Sequence, residues 1–109
     1  MLRNLECAPI FYYVLHVSLP GLSDLRDAID AVDAQMLDLL RRRLELVLKV
    51  GEIKNANGVK VYDPDRERHV LAKLESMVQA PMRPDMVRRI YERIIDEYRS
   101  IEQHHVHEK

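Results

Sequence analysis

Six ionisable side chains fall on faces that helical spacing would bury: Arg26, Arg43, Lys54, Arg66, Glu67 and Glu102. In "MLDLLRRRLELVLKVGEIK", residues 36–54, a heptad places Met, Leu, Val and Ile at a and d, yet one a position is Arg43. Arg26 and Lys54 lie at e, on the row Arg26, Asp33, Leu40, Val47, Lys54 that borders this seam. Glu67 precedes Val70 by three and Leu71 by four and so shares their side, with Arg66 beside it. Glu102 continues the row Tyr91, Ile95, Tyr98. Each has an ordinary explanation when taken alone. An Arg at a can snorkel or fix register, a Lys at e is usually solvated, and a Glu near a helix start complements the macrodipole. Together they ask for more. Four cations with few interior carboxylates are costly in a dry core unless something neutralises them. A small dianion would do so, because arginine forks match carboxylates bidentately.

The chain carries no Gly-rich phosphate loop, no Cys/His metal spacing and no Ser/His/Asp set on a plausible strand scaffold. His104, His105 and His107 lack the i, i+4 pairing that points two imidazoles of a helix at one ion. The expectation is therefore no metal and no cofactor. An enzyme built on these residues would work by binding and electrostatics.

Three helices position them. From Ser23, with Ser23 or Asp24 as the expected cap, the a/d positions run Leu22, Leu25, Ile29, Val32, Met36, Leu39, Arg43, Leu46, Val50, Ile53. Asn55, Asn57 and Gly58 supply the stop. The helix is about 33 residues, or roughly 50 Å, long for a chain whose compact form would have a radius of gyration of about 13 Å. Its apolar seam calls for a partner, most simply a second copy. Asp63 is a natural N-cap for the second helix, with Pro64 at its first position. Val70, Leu71, Leu74, Met77 and Val78 form its apolar face. The third helix starts near Pro84-Asp85, and Val87, Ile90, Tyr91, Ile94, Ile95, Tyr98 and Ile101 line one side. No strand pattern or repeat follows residue 21. The fold class is all-α.

The bulk numbers agree with one helical domain: 109 residues, 47% apolar, 32% charged, three Gly and no Trp. A chain this short buries a modest fraction of its surface, so oligomerisation is a natural source of stability. Net charge is −1, which gives no general reason to expect nucleic acid. The lone Cys7 excludes an internal disulfide and makes the cytosol the default compartment. Residues 1–21 differ from the rest, being apolar and β-branched or aromatic from Pro9 to Leu19 before Pro20-Gly21. Glu6 and His16 interrupt a signal-peptide reading, no small-x-small cleavage site follows, and the run is too short to span a bilayer. A poorly ordered or partner-packed extension is the reading adopted, with no membrane role. The end, 104–109, reads as a polar tail.

"LRDAIDAVDAQMLDLLRRRLELVLKVGEIK", "VYDPDRERHVL" and "RIYERIIDEYRSIE" together resemble the all-helical chorismate mutases of the small dimeric class. The resemblance spans residues 22–103. Its most specific parts are L-R-x-x-I-D-x-[LV]-D, Arg43, Lys54 and D-x-x-R-E at 63–67. It implies an intertwined homodimer with a long shared helix, and rearrangement of chorismate to prephenate on the route to Phe and Tyr. It further implies that Arg43, with Arg26 donated from the other subunit, clamps the substrate carboxylates. Lys54 would bind a carboxylate and the ether oxygen, Asp63 and Glu67 the ring hydroxyl region, and Arg66 would cover the ring-side carboxylate. Two positions depart from the family pattern. Glu102 stands where Gln is frequent, so a proton on its carboxyl would be needed for it to donate. Tyr98 stands where a smaller polar residue is common and would narrow the pocket.

Two other readings stay open at this level. A family of the same fold removes pyruvate from isochorismate, and Tyr98 resembles that family, whereas D-x-x-R-E favours the mutase. A non-catalytic helical module of a shikimate-pathway enzyme is the third, and residues 1–21 are what it could use.

Overall fold

The chain is all-α. The computed structural model describes residues 19–107 and contains three helices: α1, Leu22–Ala56; α2, Pro64–Ser76; and α3, Pro84–His107. The extension read over 1–21 lies outside the described residues except for Leu19–Gly21.

Pro20-Gly21 starts α1. Gly21 takes φ +80, a value that glycine adopts without a Cβ penalty. The Leu22 N–H donates to the Leu19 carbonyl and the Leu25 N–H to that of Gly21. The helix thus begins at Leu22, and Ser23 and Asp24, expected as caps, sit in its first turn. The turn thus gives two of the leading N–H groups backbone acceptors, those of Leu22 and Leu25. At the other end Gly58 (φ +66) closes a Schellman motif. The Val59 N–H reaches back to the Lys54 carbonyl at 2.8 Å, and the Gly58 N–H to that of Asn55 at 3.2 Å. Asp63 caps α2 as the sequence predicts, its Oδ1 accepting from the Arg66 N–H at 3.1 Å.

The chain divides after Arg41 into two units. In the N-terminal one, α1 stands almost bare. Leu25, Ile29, Val32, Met36 and Leu39, the a/d positions of the heptad, are all more than half exposed. In the C-terminal unit the rest of α1, α2 and α3 surround a small core. Leu71, Val87, Ile95 and Val106 are its buried apolar residues. Arg88 on α3 donates to Glu75 on α2 at 2.9 Å, and His105 Nε2 lies 2.6 Å from Glu52 Oε2 on α1. α3 runs on through His107 and buries Val106, so much of the segment read as a polar tail continues the helix. No helix among the described residues is long and apolar enough to cross a membrane.

Candidate active site

A cavity of about 310 Å³ opens in the C-terminal unit between the three helices. From α1 come Arg43, Val47, Val50 and Lys54, spaced by three and four and so stacked on one side. From the loop and α2 come Val61, Asp63, Arg66, Glu67 and Val70, and from α3 Ile95, Tyr98, Arg99 and Glu102. Of the eight residues singled out in the sequence, seven line this cavity: Arg43, Lys54, Asp63, Arg66, Glu67, Tyr98 and Glu102. Arg26 lies in the N-terminal unit and is exposed.

Arg43 is only partly buried, and its guanidinium carbon sits 5.0 Å from the centroid of the Tyr98 ring. The ring face offers a cation an attraction of about 0.5–1 kcal/mol, which helps explain why the seam accepts the charge. Burial raises the Tyr98 phenol above its usual range, with the Arg43 charge pulling the other way. Lys54 is held from the loop side. Its Nζ donates to the Val61 carbonyl at 3.1 Å and lies 4.0 Å from Asp63 Oδ2. An ammonium has three N–H donors, so two remain for a ligand in the cavity. Asp63 divides its work, one oxygen capping α2 and the other facing Lys54.

Glu102 is buried at 7% exposure, and its Oε2 has no hydrogen-bond partner among the described residues. Burial raises its pKa above the ordinary carboxylate value. The Lys54 charge opposes that rise and the Glu67 charge adds to it. A protonated carboxyl can donate to an oxygen in the cavity, which an ionised one cannot. Its seat is Gly51, buried within α1. A Cβ there would fall 2.7 Å from Glu102 Cγ and 3.0 Å from Oε2, so the glycine makes room for the side chain.

Two residues of the site escaped the sequence reading. Arg99 Nε and Nη2 donate to Glu67 Oε2 and Oε1, each at 2.8 Å, and its guanidinium carbon lies 5.0 Å from the Tyr62 ring centroid. The hydrogen bonds to Glu67 hold this guanidinium still further above its already high pKa. The signal was available in principle. Arg99 follows Ile95 by four and precedes Glu102 by three, which puts it on the border of the same face. Gly51 is the other, a glycine inside the helix three residues before Lys54, and such a residue often marks a close approach.

This arrangement brings Arg43, Lys54 and Arg66 to one cavity, with the buried carboxyl of Glu102 in its wall. No group of three or more metal-ligating side chains occurs among the described residues.

Known proteins share both sequence and fold with the chain. Residues 25–103 match the family described as chorismate mutase type II. The chain is 43% identical over 77 residues to the T-protein of Enterobacter agglomerans, an alignment covering 70% of this chain and 21% of that protein. The chain thus spans about a fifth of the length of that curated relative. The structure of a Helicobacter pylori chorismate mutase in complex with prephenate superposes with a TM-score of 0.75 at 30% identity, covering 81% of this chain and 96% of that one. A chorismate mutase from Thermus thermophilus gives 0.73 at 29% identity, covering 75% and 93%. With the match running through every residue of the cavity wall, this chain belongs to the type II chorismate mutase family.

Proposed function

We propose that the chain catalyses the Claisen rearrangement of chorismate to prephenate in this cavity. The observation that carries the reading is the convergence of Arg43, Lys54 and buried Glu102 on one small cavity inside the family-matched region. The reaction is unimolecular and requires no nucleophile. What the protein must supply is the folded conformer and relief of charge. Arg43 and Arg66 grip the two carboxylates and hold the reacting carbons near each other, converting binding into orientation. As the C–O bond breaks, negative charge grows on the ether oxygen. Lys54 meets it with an ammonium N–H, and the protonated Glu102 carboxyl donates from the other side. Glu67 and Asp63 accept from the ring hydroxyl region.

The same reading makes the active species a homodimer in the cytosol. The a/d residues of α1 are exposed from Leu25 to Ile53 except for half-buried Arg43, an apolar stripe larger than soluble monomers usually leave in water. A second copy would cover it and bring its own Arg26 to complete the carboxylate clamp. The single Cys7 suits a reducing compartment.

The test is direct: purified protein with chorismate should consume its absorbance and yield prephenate. Release of pyruvate and salicylate from isochorismate, without prephenate formation from chorismate, would assign the chain to the lyase reaction instead. Turnover of neither would return it to a non-catalytic role.

A further inference from the structure

Arg99 lines the cavity, and its guanidinium is engaged by another residue of the wall. Two of its N–H groups fork onto Glu67 of α2, Nη2 also donates to Asp96 Oδ1 at 2.8 Å, and the Tyr62 ring lies beside it. Its Nε and Nη2 are committed to these carboxylates, so its effect falls first on Glu67.

We infer that Arg99 is a positioning residue for the reaction: its fork onto Glu67 keeps that carboxylate from capturing the cations that hold the substrate. The inference rests on the reading that the cavity binds a dicarboxylate. Glu67 shares the wall with Lys54 and Arg66, and its side chain is largely buried, at 23% exposure. A carboxylate in such a place needs a partner. Without Arg99 the available partners are the ones a dianionic substrate also needs. Lys54 is the most exposed to this competition, because an ammonium on a flexible stem follows the nearest anion. A released Glu67 would also repel the incoming dianion. Paired with Arg99 it does neither. The bidentate geometry fixes both oxygens, and each carboxylate oxygen keeps acceptor capacity for a ligand hydroxyl.

A brace that merely ties α2 to α3 would not produce the pattern that follows. Arg99→Ala should raise KM for chorismate at least about tenfold, as expected for a charge-assisted contact, with a smaller fall in kcat. Adding Glu67→Gln to that variant should recover most of the lost KM, although Glu67→Gln alone impairs the wild-type protein. Arg99→Lys keeps the charge without the fork, so it should show a smaller rise, also relieved by Glu67→Gln. It serves where the alanine variant does not fold, as judged by thermal melting. Prephenate binding by calorimetry on the same proteins should follow KM. A folded Arg99 variant with unchanged KM, or a rise that Glu67→Gln deepens, overturns the inference. Wild-type protein that neither turns over chorismate nor binds prephenate removes the substrate reading itself, and this inference with it.

Discussion

Replacing Glu102 with Gln exchanges a titrating donor for a fixed one of nearly the same shape. The structure gives the sign. Burial at 7% exposure favours the neutral carboxyl and raises its pKa, with Lys54 opposing and Glu67 assisting. The donor is present below that raised pKa and is lost as pH rises through it. Above it the protonated fraction falls tenfold per pH unit, and kcat/KM should fall with it. The fall should level off once the donor's whole contribution is gone, about 10²–10³-fold for a preorganised donor to a developing oxyanion. Glu102→Gln should lack this descending limb and keep its activity at pH 8. Stability follows the same linkage. With the folded pKa raised, the contribution of the protonated form is fully present below the unfolded pKa and disappears as pH rises through the folded one. The Gln variant should therefore melt higher than wild type on the alkaline side, by about 1.4 kcal/mol for each unit separating the two pKa values. The assay is chorismate consumption from pH 5 to 9 beside thermal melts in the same buffers. Wild-type protein fully active at pH 8, with the Gln variant tracing the same profile, would refute the donor role.

Arg43→Ala and Lys54→Ala should each lower kcat/KM at least about 10²-fold, whereas Arg41→Ala should matter far less, since Arg41 is exposed and pairs with Asp38 at 2.7 Å; equal losses at all three would mean the wrong face was assigned to α1. Mixing Arg26→Ala chains with Arg43→Ala chains should restore activity through one intact site per mixed dimer, and no recovery after subunit exchange would place the site within one chain. Sedimentation should find a dimer whose dissociation coincides with unfolding; a folded, active monomer at low concentration contradicts this. Gly51→Ala puts a Cβ 2.7 Å from Glu102 Cγ, so it should cost about 1–3 kcal/mol by overpacking, less up to about 1 kcal/mol of helix propensity; Gly51→Ala with Glu102→Ala should melt above Gly51→Ala alone, and the absence of that relief would show the contact is soft.

The helices were legible because their signals are local. Asp63-Pro64 marks an N-terminus through one side chain and one fixed φ, and the structure uses both. Asn57-Gly58 marks a C-terminus because glycine adopts the left-handed conformation that a Schellman motif needs. The helix α1 begins one residue before the expected Ser23, for the same kind of reason. Ser23 and Asp24 are good caps, but the Leu19 and Gly21 carbonyls had already taken the N–H groups of Leu22 and Leu25. Backbone partners outrank side-chain propensity there, and a turn's hydrogen bonds leave no mark in residue types beyond Pro20-Gly21 itself. The end of α3 went the other way. Three histidines read as tail, yet Val106 between them is buried and carries the helix on to His107.

The site divides along the same line. Arg43 was conspicuous because periodicity says what should stand at an a position, and a guanidinium is not it. Glu102 was conspicuous for the same reason on α3. Arg99 broke no rule of its own helix, and Gly51 broke only the weak one of helix propensity. An arginine bordering a helix face is common, and its importance comes only from Glu67, 32 residues away. A glycine inside a helix reads as a small cost, until the Glu102 side chain is seen occupying the space a methyl would fill. Periodicity exposes a charge on an apolar face because the conflict lies within one element. It is silent about a charge satisfied, or a space filled, by another element. Those residues bear on the conspicuous ones from outside their helices: Arg99 holds Glu67 in a fork, and Gly51 leaves the space that the Glu102 side chain fills.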